Sequence, residues 1–246
     1  MEKVSAIVLA AGKGTRINAK NKNKVVLKID DKPMVSYTVE NLKKAGIKNI
    51  VVVVGHQSQS VKQVLGDQVT YAFQPERMGT GDAVRVGLSK IPKEASQILS
   101  IQGDDSAFYP PSLITDLVTQ NKESNAAITL LTINKEDPTG LGRIVRDKNN
   151  DIQAIIEEKN ATTEQKSIKE INTGLYCYDR SFLENNINNL KKNSVTGEYY
   201  QPDLIEIAVN KGLPVKALFY QDSSVWHGIN TPDQLKSAQK LMRQKI

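Results

Sequence analysis

Three short stretches of this chain carry residue types that can do chemistry. The first is Gly12-Lys13-Gly14-Thr15-Arg16, two glycines and two cations set directly after the apolar run Val4 to Ala11. Free backbone N–H groups in such a loop, beside fixed positive charge, make a seat for a polyphosphate. The second is Gln74 followed by Gly79-Thr80-Gly81. An amide offers the donor and acceptor that the edge of a pyrimidine requires, and glycine lets a flat base approach the backbone. The third is Gly103-Asp104-Asp105. A carboxylate just after a buried strand and opposite a cationic loop suits Mg²⁺ shared with substrate phosphates, which needs only one or two protein ligands.

Other chemistries fall away. A dinucleotide fingerprint needs a third glycine three residues after the second, where this chain has Ile17. The spacing of a P-loop is absent. Two histidines and one cysteine do not supply a zinc site of the usual kind. No nucleophile turn accompanies a Ser-His-Asp set, and His56 at a strand end reads as structural.

These stretches need elements to hold them. Val4 to Ala10 and Ile50 to Val54 are apolar without alternation, the pattern of strands buried on both faces. Between them, Val25 to Ile29 reads as extended, Asp30-Asp31 as a turn, and Lys32-Pro33 as a helix opening that stops at Gly46. Helical spacing recurs at Val61 to Leu65, from Asp82 to Leu88 and from Pro111 to Asn121, with strands at Val69 to Phe73, Ile98 to Ile101 and Ala127 to Ile133. This alternation predicts a doubly wound α/β sheet, whose sites lie at the carboxyl ends of its strands. Each chemical stretch above follows a predicted strand. Beyond Lys135 the rhythm changes to a hairpin, Arg143 to Ile156, then a strand from Ile171 to Tyr178, helices from Ser181 and Asp203, and a strand from Val215 to Tyr220. The box Thr231-Pro232-Asp233-Gln234 opens a last helix. A single domain over 1–246 is expected, with a nucleotide-binding half at 1–133 and a second lobe at 134–246.

The net charge of +6 is concentrated. Lys13, Arg16, Lys20, Lys22, Lys24, Lys28, Lys32, Lys43, Lys44 and Lys48 face only Asp30, Asp31 and Glu40 over that span, so the excess surrounds the phosphate-type loop. Aromatic residues make up 5% of the chain, too few for a stacking platform, so no nucleic-acid partner is expected. No apolar run approaches membrane-spanning length, and the N-terminus leads straight into a strand, which predicts neither membrane association nor a leader peptide. Cys177 is the only cysteine, which fits a reducing, cytoplasmic setting.

Leu9-Ala10-Ala11-Gly12-Lys13-Gly14-Thr15-Arg16 resembles the signature of the sugar nucleotidyltransferases, as found in N-acetylglucosamine-1-phosphate uridylyltransferases. Further segments are similar to that family's motifs in the same order. They are Gln74 with Gly79-Thr80-Gly81, Gly103-Asp104, Pro138-Thr139-Gly140-Leu141-Gly142-Arg143, Glu157 with Lys159, Glu170 to Gly174, Gly197-Glu198-Tyr199-Tyr200 and Gly228-Ile229-Asn230. The resemblance implies a Rossmann-like mixed sheet of the nucleotide-diphospho-sugar transferase type with a sugar-binding lobe. It implies Mg²⁺-dependent attack of a sugar-1-phosphate oxygen on the α-phosphate of a nucleoside triphosphate, with pyrophosphate leaving.

Carried over residue by residue, Arg16 and Lys13 would hold the pyrophosphate, and Lys24 the phosphates at the reacting centre. Leu9, Ala10, Ala11, Gly12 and Gly14 would wall the nucleotide, while Gln74, Gly79 and Thr80 read the base, uracil by this resemblance. Asp104 and Asn230 would place the metal, and Gly142, Glu157, Asn172 and Tyr200 the sugar. The chain departs from the pattern at Asn23 and Ser106, where the family has proline, at Gln102, where an aromatic is common, and at Pro202, where a hydroxyl often serves the N-acetyl sugar. The hexapeptide repeats of the acetyltransferase half of bifunctional members do not occur in this sequence. Three alternatives stay open: glucose-1-phosphate as sugar with uracil or thymine as base, an idle nucleotide-sugar binder, and a basic nucleic-acid-binding domain.

Overall fold

Strand β1 (Val4–Ala10) runs through the middle of a nine-stranded sheet and is buried at every residue. Its pleat sends Ala6, Val8 and Ala10 into one apolar layer and Ile7 and Leu9 into the other. Residues 1–17, 19 and 21–245 are described by this computed structural model. Lys20 of the basic cluster lies outside the described residues.

After β1 come two single 3-10 turns, Thr15–Ile17 and Lys24–Val26, and a small hairpin of β2 (Lys28–Ile29) and β3 (Lys32–Pro33). The wound part follows: α1 (Met34–Lys44), β4 (Asn49–Val54), α2 (Ser58–Leu65), β5 (Thr70–Phe73), α3 (Thr80–Leu88) and β6 (Gln97–Gln102). Then come α4 (Pro111–Glu123), β7 (Ile128–Asn134), the hairpin β8 (Arg143–Arg146) and β9 (Ile152–Ile156), and α5 (Thr163–Lys166). The chain closes with β10 (Glu170–Asp179), α6 (Arg180–Asn186), α7 (Asp203–Asn210), β11 (Val215–Phe219) and α8 (Pro232–Lys245).

The strand order is β11-β7-β10-β6-β1-β4-β5, with β8 and β9 continuing from β10. The pairs β1–β4, β1–β6, β4–β5 and β7–β11 are parallel, and β10 lies antiparallel between β6 and β7. The expected doubly wound mixed sheet is therefore present. Helices α1, α2 and α4 cover one face, and α3, α6 and α7 the other. A fully buried Val or Ile contributes about 1.5–3 kcal/mol, which is why the valine run of β4 anchors the sheet between these layers.

The chain leaves β1 toward β4 and β5, then returns to β6 on the opposite side of β1. That reversal opens a crevice beyond the carboxyl ends of β1 and β6, where a wound sheet holds its ligand. A third apolar cluster joins Ile17, Ile29 and Met34 to Ala238 and Met242 of α8, docking the last helix beside the same crevice.

Two local expectations are corrected. Val25 to Ile29 is not one extended piece, because Asn23 caps a 3-10 turn at Lys24–Val26, its Oδ1 accepting from the Val25 N–H. Lys32-Pro33 does not open the helix. Pro33, at ψ 142°, pairs with Lys28 in the β2–β3 hairpin, and α1 begins at Met34.

Candidate active site

The first loop is shaped by close packing. Gly14 sits at φ +60°, and a Cβ there would come within 2.7 Å of the Lys24 Cβ. Its glycine thus lets the Lys24 segment lie against the loop. Asn23 ties the two together from below: it is fully buried, and its Nδ2 donates to the carbonyls of Ala10 at 2.9 Å, His56 at 2.8 Å and Gly12 at 3.2 Å. His56 therefore serves through its backbone, and its side chain is exposed.

Lys24 Nζ is ion-paired with Asp104 Oδ2 and donates to Asn230 Oδ1 at 3.0 Å. Arg16 donates to that same oxygen at 2.9 Å. Asn230 is held by the box predicted at the start of α8, its N–H donating to Gln234 Oε1 at 2.7 Å while Gln234 N–H bonds Thr231 Oγ1. Four residues drawn from the two ends and the middle of the sequence thus converge.

Beside Asp104, burial pushes the Asp105 carboxyl well above the usual carboxylate range; the Asp104 charge adds to this and Lys24 opposes it. Ser106, where the family pattern has proline, is buried and lies 2.8 Å from Thr38 Oγ1, while its hydroxyl also donates to the Gln102 carbonyl.

Two chambers meet at this place. The first, about 300 Å³, is walled by Leu9 to Arg16, Lys24, Gln74, Gly79, Thr80, Asp104 and Asn230. It includes every residue expected to contact nucleotide or metal. Its wall also takes Asn23, Arg77, Gln102 and Glu198, to which the sequence gives no defined role. The second, about 390 Å³, is lined by Glu157, Lys159, Asn172, Gly174 and Pro202. Thr80, Gln102 and Tyr200 line both, so the chambers adjoin. Gly142 stands behind the second chamber: its carbonyl accepts from the Asn172 N–H at 3.0 Å, and a Cβ there would crowd Ile155 and Glu157.

The register shift of β10 between Asn172 and Tyr176, with Gly174 at φ +83°, aims Asn172 and Gly174 into that chamber. Lys159 Nζ lies 5.7 Å from the centre of the Tyr200 ring. An arm at 192–201 closes over the base-side loop. Tyr199 N–H donates to Met78 O at 2.7 Å, Gly81 N–H to Tyr199 O at 2.9 Å, and Arg77 pairs with Glu198 at 3.3 Å. Gly79, at φ +92°, is required because any Cβ would strike Tyr199 O. The first chamber thus borrows Glu198, Tyr200 and Asn230 from beyond residue 134.

A family model described as "Nucleotidyl transferase" matches residues 5–245. The chain belongs to the nucleotidyl transferase family. Bifunctional protein GlmU of Bacillus licheniformis is 39% identical over 246 residues, which is 100% of this chain and 54% of that protein. The protein of the same name from Acetivibrio thermocellus is 38% identical over 246 residues, 100% of this chain and 53% of its own. The chain spans about half the length of these curated relatives of the nucleotidyl transferase family. A Bacillus anthracis crystal structure, of a protein assigned as a glucose-1-phosphate thymidylyltransferase and solved with a sucrose, has a TM-score of 0.82. It is 24% identical and covers 98% of this chain and 95% of its own, a likeness of fold. Among the described residues no helix is long and apolar enough to cross a membrane.

Proposed function

We propose that this nucleotidyltransferase moves a uridylyl group from UTP to N-acetylglucosamine-1-phosphate, releasing pyrophosphate. The observation that carries the reading is the junction of the two chambers, with Arg16, Lys24, Asp104 and Asn230 gathered in the wall of the first. A triphosphate in the first chamber and a sugar phosphate in the second would bring their phosphates together at that junction. In this division residues 1–133 supply most of the nucleotide seat and 134–246 the sugar seat.

The work left to the protein is positioning and charge neutralisation, since phosphoryl chemistry of this kind uses no protein nucleophile. Arg16 and Lys13 hold the leaving pyrophosphate, and Lys24 offsets charge at the reacting phosphates. Gln74, Gly79 and Thr80 hold the base, and Glu157, Asn172 and Tyr200 the sugar. The donor set fits Mg²⁺: a carboxylate oxygen of Asp104 and the amide oxygen of Asn230 already converge on one cation, the Lys24 ammonium. When bound by Asp104 and Asn230, Mg²⁺ would supply charge stabilisation between the attacking and leaving phosphates.

Pro202 in the wall of the second chamber, where the family often has a hydroxyl, favours glucose-1-phosphate as a second reading of the sugar. The test is pyrophosphate release with Mg²⁺, crossing UTP, dTTP, CTP and ATP with both sugar phosphates. Turnover with UTP and the N-acetylated sugar is expected. A different productive pair moves the substrate and keeps the mechanism. No release from any pair, with nucleotide sugar still bound, would make the chain an idle binder.

A further inference from the structure

We propose that Asp82 sets the orientation of the Gln74 amide and thereby makes the first chamber select a base with a ring N–H, uracil or thymine, over cytosine. The inference rests on the proposed nucleotide chamber and concerns how that chamber chooses.

Gln74 follows β5 and is buried, with its own N–H donating to Val54 O at 2.9 Å, so its backbone is fixed to the sheet. Its Nε2 donates to Asp82 Oδ2 at 2.7 Å and to Gly79 O at 3.2 Å. Both partners are acceptors only. The end of the amide that faces them must therefore be the NH₂ group, since the reversed amide would set oxygen against oxygen. Asp82 is itself held in place. It is buried in the first turn of α3, where the helix N-terminus favours a negative charge, and its Oδ1 pairs with Arg85, whose guanidinium lies 5.5 Å from the centre of the Tyr199 ring.

Both N–H groups of Gln74 are thus consumed. Its Oε1 is left in the wall of the nucleotide chamber, and among the described residues no protein group donates to it. An acceptor in that position pairs with the N3–H of uracil or thymine. Cytosine presents N3 as an acceptor at the same edge, which leaves two acceptors facing each other and unpaired. A site built this way rejects the wrong partner strongly because its buried oxygen loses water without gaining a donor.

The experiment compares UTP with CTP, both as kcat/KM for pyrophosphate release and as Kd by titration calorimetry with Mg²⁺, in the full chain and two variants. The unaltered chain should prefer UTP by about 10-fold or more. In Asp82→Asn the new amide can turn its NH₂ toward Gln74, which leaves only the longer contact to Gly79 O at 3.2 Å opposing reversal, and the UTP:CTP ratio should fall by about 10-fold. Arg85→Gln disturbs the same ion pair but leaves the Asp82 carboxylate as acceptor, and it should keep the ratio whatever it does to stability.

A folded Asp82→Asn with the original ratio, or an unaltered chain that binds CTP as well as UTP, would overturn the proposal. The calorimetric arm separates this from the enzymatic reading, since a chain that binds UTP over CTP without turnover removes only the latter. Binding of neither nucleotide removes both.

Discussion

Asn230 stands 206 residues beyond Lys24, yet its Oδ1 accepts a hydrogen bond from the Lys24 Nζ at 3.0 Å. The segment that leads into the last helix thereby reaches the cationic wall of the cleft, and the Asp104 carboxylate meets the same ammonium. Two oxygen donors face one positive charge, which is the arrangement on which the metal assignment depends.

Asp104→Ala is expected to abolish turnover and leave the fold intact, because the carboxylate is partly exposed and lines the chamber. Steady-state pyrophosphate release and a thermal melt check the two halves of that statement. Near-full activity would remove Asp104 from the metal site.

Lys24→Ala should lower the rate by roughly 10²-fold or more, the effect of losing one preorganised donor at a charge-developing centre. Single-turnover kinetics measures it directly. An unchanged rate would return Lys24 to a structural role, as the partner that Gly14 accommodates.

Asn23→Ala removes the donor shared by the carbonyls of Ala10, Gly12 and His56. Leaving the buried Ala10 carbonyl without this donor costs about 1–3 kcal/mol, and the same change should raise the KM for the triphosphate. Urea unfolding and steady-state kinetics test this together. A variant as stable as the parent would mean that water replaces the amide.

Asp203 gives a pH test. Burial, with Glu206 and Glu157 adding, pushes its carboxyl up to about 6. A carboxylate raised in the folded state binds its proton more tightly there than in the unfolded chain, so its contribution to stability is present at low pH. That contribution is lost as pH rises from about 4 to about 6. Asp203→Asn should therefore raise Tm at pH 7.5 and have little effect near pH 4. An equal gain at both values would show that the charge is not the cause.

Much of this site is legible from sequence because a wound sheet collects its chemistry at strand ends. Apolar runs such as Val4 to Ala10 and Ile50 to Val54 announce the buried strands, and Gly12 to Arg16, Gln74 and Asp104 follow their own strands directly. What stayed hidden depends on residues distant in the chain. Asn23 anchors the turn it caps to partners at 10, 12 and 56, and no local pattern encodes that tie. Arg77 and Glu198 stand 121 residues apart with nothing in the sequence to pair them, and only the arm at 192–201 brings them together. At positions 23 and 106 a buried hydrogen-bonding side chain stands where the family pattern has the rigid ring of proline, so what looks like a loss of stiffness in sequence is a set of tertiary hydrogen bonds in space.

Strand β10 lies antiparallel between β6 and β7 and bonds to both. Residues 176–179 of β10 pair with 97–100 of β6, so strands that reach both chambers belong to one hydrogen-bonded sheet. Swinging one wall away from the other as a clamshell would break those pairs, whereas the arm at 192–201 and the loop of Gly12 to Arg16 lie outside the sheet.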